Sequence, residues 1–230
     1  MAPLLRHLLI VSLTVWELGC ASSQFATLSI YETPSMYVRL EFDQVFGTTH
    51  SHPASLTPEQ IARVLSGITI EEPLAKLPVV DDMSLPRRHP AFTEKQIALL
   101  APLMSLALKS ALSEEIVTFY QSIPPTGIRR EVTSGGLFVQ DHELHVILAN
   151  YRSPTHYMPD PASVDTTDDR LAPMRPIAPQ RGQLDFEPKE AKLEPSLSPI
   201  GKVLEWDRRE LIILWEKIPP RAAQPEKAKE

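Results

Sequence analysis

The sequence predicts an α+β fold: an antiparallel β-sheet meander with two or three helices packed on one face, and a long proline-rich irregular segment. Three observations predict it. The same capping pattern opens a helix at Thr57 and again at Thr93; strand-like alternation fills residues 115–151; and nine prolines fall between residues 153 and 200. Helices gathered before a run of consecutive strands belong to a layered α+β domain rather than an alternating βαβ one.

The first elements are two short strands, 25–31 and 36–42, rich in β-branched and aromatic residues and interrupted by Pro34-Ser35. In the second, Tyr37, Arg39 and Glu41 alternate with Met36, Val38, Leu40 and Phe42, which predicts one buried face and one wet face. A helix follows over 58–66. Thr57 caps it, Pro58 suits its first turn, Gln60 completes the capping box, Leu56 staples onto Ile61, and Gly67 stops it. The second helix opens with the same residues thirty-six positions on: Phe92, Thr93, Gln96, Ile97 and Ala98 repeat Leu56, Thr57, Gln60, Ile61 and Ala62. The match fades beyond Ala98, as for any two amphipathic helices that start alike. Pro102 is expected to kink or divide this helix, and the apolar run 99–112 to lie buried between layers.

From Glu115 the pattern turns to strands at 116–120, 128–133, 137–140 and 144–151, with Asp141-His142 as a two-residue hairpin turn. The last strand is apolar on both faces and should be central. Ser134-Gly135-Gly136 reads as a bulge or bend between strands; it has neither the lysine of a phosphate loop nor the glycine spacing of a nucleophile elbow. Residues 25–152 thus form the α+β domain and 153–200 a proline-rich arm, in which 184–186 reads as a brief strand. In 201–220, residues 203–206 and 210–215 form a hairpin, or 211–215 starts a helix, packing on the domain. The polar tail 221–230 should fray.

Composition narrows the function classes. Hydrophobic residues are 43% and charged residues 23%, as in globular domains, and 23 prolines against 8 glycines favour stiff connections. A net charge of −6 with no basic stripe gives nothing to recruit a phosphate backbone, so no nucleic-acid partner is expected. The single cysteine rules out an internal disulfide and a thiolate metal cage.

That cysteine, Cys20, closes a three-zone leader: Arg6 and His7, an apolar run over 8–16, then Leu18-Gly19-Cys20. Nine helical residues span about half of a ~30 Å hydrocarbon core, which suits a signal peptide and is too short for a transmembrane helix. Leu18-Gly19-Cys20 resembles the lipobox of bacterial lipoproteins, although Glu17 stands where that family usually has an apolar residue. The resemblance implies a signal peptide over 1–19, diacylglycerol attached to Cys20, a spacer over 20–24, and membrane lipid as a partner. Ala21, where an aspartate would retain the protein at the inner membrane, implies the periplasmic face of the outer membrane.

Histidines supply the other candidate sites. His50 and His52 would point the same way from an extended backbone, and Asp141, His142, Glu143 and His145 form the densest group of possible ligands. Zinc needs three or four converging ligands, so a polar loop before a helix cap and a solvated turn are the simpler roles. Asp81-Asp82 and the later aspartates lack the spacing of a calcium loop and should be solvated. Arg87-Arg88, Arg129-Arg130 and Arg208-Arg209 are scattered pairs, and Trp206 and Trp215 read as packing residues.

The leading expectation is a non-catalytic, membrane-anchored envelope component, without a cofactor, that binds or assembles with another envelope protein. A metal-binding protein or metal-dependent hydrolase using His50, His52, His142 and His145 is the alternative. A carrier of hydrophobic ligands is a third, and would need an apolar cavity between sheet and helices.

Overall fold

The computed structural model describes residues 26–43, 49–73, 86–123, 129–156, 169–193 and 209–219. The predicted leader with Cys20, Asp81-Asp82, Asp165, Asp168, Trp206, the proposed strand 203–206 and the tail lie outside the described residues.

The fold is α+β. Strands β1 (Ala26–Thr33), β2 (Met36–Phe42), β5 (Glu115–Ile123), β6 (Arg129–Gln140), β7 (Glu143–His156), β9 (Lys192–Leu193) and β10 (Glu210–Ile213) form one antiparallel sheet in the order β1-β2-β5-β6-β7-β10-β9. Strands β3 (Ile68–Glu71), β4 (Arg88–Pro90) and β8 (Gln183–Phe186) form a small second sheet, with β3 central. Sequence patterning anticipated β8 but not β3 or β4. Strand β7 is central, as its two apolar faces require, and β10 pairs with β7 and β9, so Glu210–Ile213 is strand and not helix.

Helices α1 (Pro58–Gly67) and α2 (Glu94–Ser110) both carry the complete reciprocal capping box, at Thr57/Gln60 and Thr93/Gln96. Pro102 does not divide α2, which runs on as a single helix, with Pro102 on its outer face. Nor is 99–112 enclosed. Leu100, Ala101, Met104, Ala107 and Leu108 face the core, while Leu99 and Leu106, with Leu112 just past the helix end, are exposed. The inward row joins Val38, Leu40, Val117, Phe119, Leu137, Val139, Val146 and Leu148 from the sheet and Ile61, Val64 and Leu65 from α1 in the main core. No helix among the described residues is long and apolar enough to cross a membrane.

The opposite face of the sheet corrects the expectation of a wet side. In β2, Tyr37, Arg39 and Glu41 are as buried as Val38 and Leu40. What covers them is the part of the proline-rich arm that begins at Asp169. It crosses this face without helix or strand until β8, and packs Met174 on Ile116, Phe138 and Ile147, and Ile177 on Tyr37, Tyr120 and Val132.

A bulge adapts the sheet to this cover. Ser134-Gly135-Gly136 lies inside the continuous strand β6 rather than between two strands, and the β6–β7 register shifts there: Ser134 pairs with Asn150 and Gly136 with Ile147. Two residues of β7 thus stand opposite one of β6, which reverses the alternation and brings Asn150 onto the arm-covered face. Gly135 has no room for a side chain, since a Cβ there would sit 1.9 Å from the Ile147 carbonyl oxygen.

Candidate functional site

The four candidate histidines do not converge on one point, although the rings of His50 and His52 lie side by side, 5.5 Å between centroids. His52 sits in the polar loop before α1, and both of its ring nitrogens are engaged: Nε2 accepts from the Val139 N–H at 3.0 Å, which puts the proton on Nδ1, 3.3 Å from the Leu112 carbonyl oxygen. Burial, with a smaller contribution from the neighbouring His50, lowers its pKa and keeps the ring neutral. His50 Nε2 is 2.9 Å from Asp43 Oδ2 in a pair with both side chains buried. His142 is exposed in the Asp141-His142 turn, where Asp141 adopts φ 53° and its N–H donates to Ser51 Oγ at 2.8 Å. The turn is where the sequence places it.

His145 points from β7 toward the arm-covered face. Its ring stacks on Phe138 at 4.5 Å, its Nδ1 is 2.7 Å from Glu210 Oε1, and its Nε2 is 3.7 Å from Glu143 Oε2. His50 meets the same phenyl ring at 4.3 Å. Each imidazole has its own carboxylate, and aromatic carbon rather than a shared opening is what they have in common. Among the described residues no group of three or more His, Cys, Asp or Glu side chains is placed to hold a metal ion.

The densest polar assembly is instead one the sequence conceals, the layer between sheet and arm. Arg39 Nε donates to Glu41 Oε1 at 2.6 Å with both side chains buried, and Arg39 Nη2 reaches the Arg170 carbonyl at 2.8 Å. The Tyr37 hydroxyl donates to that same carbonyl at 2.6 Å. The Arg39 guanidinium lies 4.0 Å over the Tyr37 ring, which stacks on Tyr120 at 5.4 Å. Burial raises the pKa of Tyr37 well above the usual phenol range and that of Tyr120 to about 12, so both remain protonated donors. Burial also pushes the Glu41 carboxyl up, with the Arg39 charge only partly offsetting it.

Asp169, at the start of the arm, accepts both Arg130 bonds, at 2.6 and 2.7 Å, and the Tyr120 hydroxyl at 3.3 Å. This aspartate is paired, contrary to the solvated role its sequence setting implies. Arg170 reaches back to the β1–β2 turn, donating to the carbonyls of Thr33 and Pro34. Further along, Ser134 Oγ donates to the Pro173 carbonyl at 2.7 Å. Asn150 Nδ2 donates to the Arg175 carbonyl at 2.8 Å, and Asn150 Oδ1 accepts the Ile177 N–H at 2.7 Å. An arm without a backbone ladder must satisfy its buried carbonyls in some other way, and these side chains satisfy them.

A second polar seam joins the two sheets. His89 Nδ1 donates to the Pro86 carbonyl at 2.9 Å, and its Nε2 lies 3.0 Å from the Tyr151 hydroxyl. Arg209 donates to Gln180 Oε1 at 2.8 Å, and Gln180 Nε2 donates to Ser153 Oγ at 2.6 Å. Burial lowers the Arg209 pKa to about 10.

These groups hold segments together; they do not converge on an open point where a reacting atom could sit. The sequence hid the arm-side layer because Tyr37, Arg39 and Glu41 alternate with apolar residues just as a solvent-facing row does, and the segment that covers them lies about 130 residues away. Comparison with known families found no matching model, and no curated protein and no solved structure matches the chain.

Proposed function

We propose that the chain is an exported lipoprotein held to a membrane by acyl chains on Cys20, with a folded body that acts as a non-catalytic binding or assembly component of the cell envelope, on the periplasmic face of the outer membrane. The observation that carries this reading is in the sequence: the only cysteine of 230 residues closes the apolar leader, directly after Gly19. Acyl chains contribute about 0.8 kcal/mol per buried methylene, so a diacylglyceryl group with an amide-linked chain makes a durable anchor.

Two features support a binding rather than catalytic body. The most buried polar side chains are engaged with one another in holding the arm to the sheet, and the four histidines do not gather around one point. A rigid body with its polar groups so used suits presentation of a surface to another envelope protein.

The test is intact-mass measurement of protein extracted from membranes, beside Cys20→Ala. The expected result is a chain starting at Cys20 with added acyl mass, and a Cys20→Ala product that keeps its leader and gains no lipid. An unacylated chain, or one retained in the cytoplasm with residues 1–19 attached, overturns the reading.

A further inference from the structure

Seven large apolar side chains are exposed among the described residues, and four of them belong to segments that run to one end of the large sheet. Leu28 is 48% exposed, Phe42 50%, Leu106 52% and Leu112 55%. Register places the two strand residues there. Ala26 of β1 pairs with Glu41, Leu28 with Leu40, and Phe42 with Glu115. The Glu115 carboxylate accepts the Leu112 N–H at 2.8 Å, and the Glu115 N–H donates to the Leu112 carbonyl. Helix α2 starts at the other end, where Gln96 bonds Gln121 opposite Met36, and so delivers Leu106 and then Leu112 toward the Phe42 end. Alternation along β2 puts Phe42 on the same face of the sheet as Val38 and Leu40, the face that α2 covers. The basic residue of the last helical turn, Lys109, lies between the two leucines in sequence and is exposed.

The chain enters the fold at this same end. Strand β1 begins at Ala26, and only five residues separate it from Cys20. Fully extended, that length reaches about 20 Å, roughly one average strand. An anchor at Cys20 therefore keeps the first residues of β1 within that distance of the lipid, and among the described residues the exposed large apolar side chains of β1 and its partner β2 are Leu28 and Phe42. We infer that Leu28, Phe42, Leu106 and Leu112 form a docking surface for the bilayer itself, lying in the lipid interface with Lys109 toward the anionic phosphates, so that the domain rests on the membrane in one orientation. Apolar side chains with a flanking lysine suit that interface, where both the hydrocarbon and the headgroup charge are within reach.

This inference rests on the proposed anchor, but the experiment separates the two. Phe42→Trp, Leu112→Trp and Leu171→Trp are exposed-site changes; Leu171 is 58% exposed on the arm, across the sheet from α2. Each full-length protein is placed in phosphatidylethanolamine–phosphatidylglycerol vesicles with brominated acyl chains. Where intact mass finds Cys20 unmodified, that sole cysteine is coupled to a maleimide phospholipid, so docking is measured whether or not the cell acylates it. The expected result is loss of emission, beyond that of the parent chain with its own tryptophans, at positions 42 and 112 and none at 171. Equal emission at all three sites, or loss at 171 alone, overturns the docking surface while leaving the anchor to the mass measurement. Shielding of 42 and 112 from aqueous iodide without quenching by bromolipid also overturns it, and assigns the patch to a second copy or a protein partner.

Discussion

The two faces of the large sheet are covered in different ways. Against α1 and α2 the strands present Val38, Leu40, Val117, Phe119, Leu137, Val139 and Leu148, whereas against the arm the same strands set Arg39, Glu41, Thr118, Ser134 and Asn150 among Tyr37, Ile116, Val132, Phe138 and Ile147. A helix satisfies its own backbone and asks of the sheet only apolar surface, which is non-directional and tolerant of small shifts. The arm, interrupted by Pro173, Pro176 and Pro179, brings unpaired carbonyls and must be met by donors at particular places. The polar groups of the second face follow from the irregularity of what covers it.

The largest effect that separates the faces is expected at the Arg39–Glu41 pair. Arg39→Met leaves Glu41 buried without its cation, which costs about 3–5 kcal/mol. Arg39→Met with Glu41→Leu removes both charges and should recover most of the loss, except the bond to the Arg170 carbonyl. The pH dependence carries the sign. Burial already raises the Glu41 pKa in the folded state, and losing Arg39 raises it further. A carboxyl raised in the fold contributes stability that is present below its unfolded value and lost as pH rises through the folded value. The deficit of Arg39→Met should therefore be greatest near neutral pH and shrink on acidification toward about 4.3. Leu40→Ala, on the other face of the same strand, should cost about 2–5 kcal/mol at every pH. Urea denaturation across pH distinguishes them, and parallel pH profiles for the two variants would refute the contrast.

A smaller effect is expected where the arm is held by a single side chain. Asn150→Ala removes the bonds to the Arg175 carbonyl, the Ile177 N–H and Ser134 Oγ, and should cost about 1–3 kcal/mol through the backbone groups left buried without partners. The loss should be local. Trypsin should cut faster after Arg170 and Arg181, while amide protection in β5 and β6 stays near that of the parent protein. Unchanged cleavage at both sites would show that Ser134, Arg39 and Tyr37 hold the arm without Asn150.

Legibility divided along the same line. Both helices, the β5–β6–β7 meander, the Asp141-His142 turn and the glycine bulge were readable, because capping boxes, alternation and glycines act within a few residues. The arm-side layer was not. Arg39 and Glu41 look solvated in sequence because their burial is imposed by Arg170, and Asn150 looks aligned with Leu144, Val146 and Leu148 until the bulge at Gly135 reverses it. The outer face of α2 misled in the opposite sense: Leu99, Leu106 and Leu112 look like core because a nearly all-apolar run has little moment to say which side faces inward. Of the candidate histidines, the isolation of His142 followed from the turn. The engagement of His52 with Val139 and Leu112 follows only from the loop crossing the end of β6.

His52 gives the smallest and most pH-specific of these effects. Its neutral ring accepts from the Val139 N–H, and protonation converts that acceptor into a donor aimed at another donor. Its folded pKa lies below the ordinary histidine value because the site is buried, so its contribution is present above that value, about 6.5, and is lost as pH falls through the depressed folded value. Thermal stability should thus decline between pH 7 and pH 5 in the parent protein, and less steeply in His52→Gln, which offers an amide oxygen to Val139 without a titrating group. At pH 7 the substitution itself should cost about 0.5–1.5 kcal/mol, the worth of one imperfectly replaced hydrogen bond. Because Glu41 raises stability on acidification while His52 lowers it, the comparison is best made in Glu41→Gln, which removes the opposing carboxyl. An acid slope that persists there unchanged in His52→Gln would refute the assignment to His52.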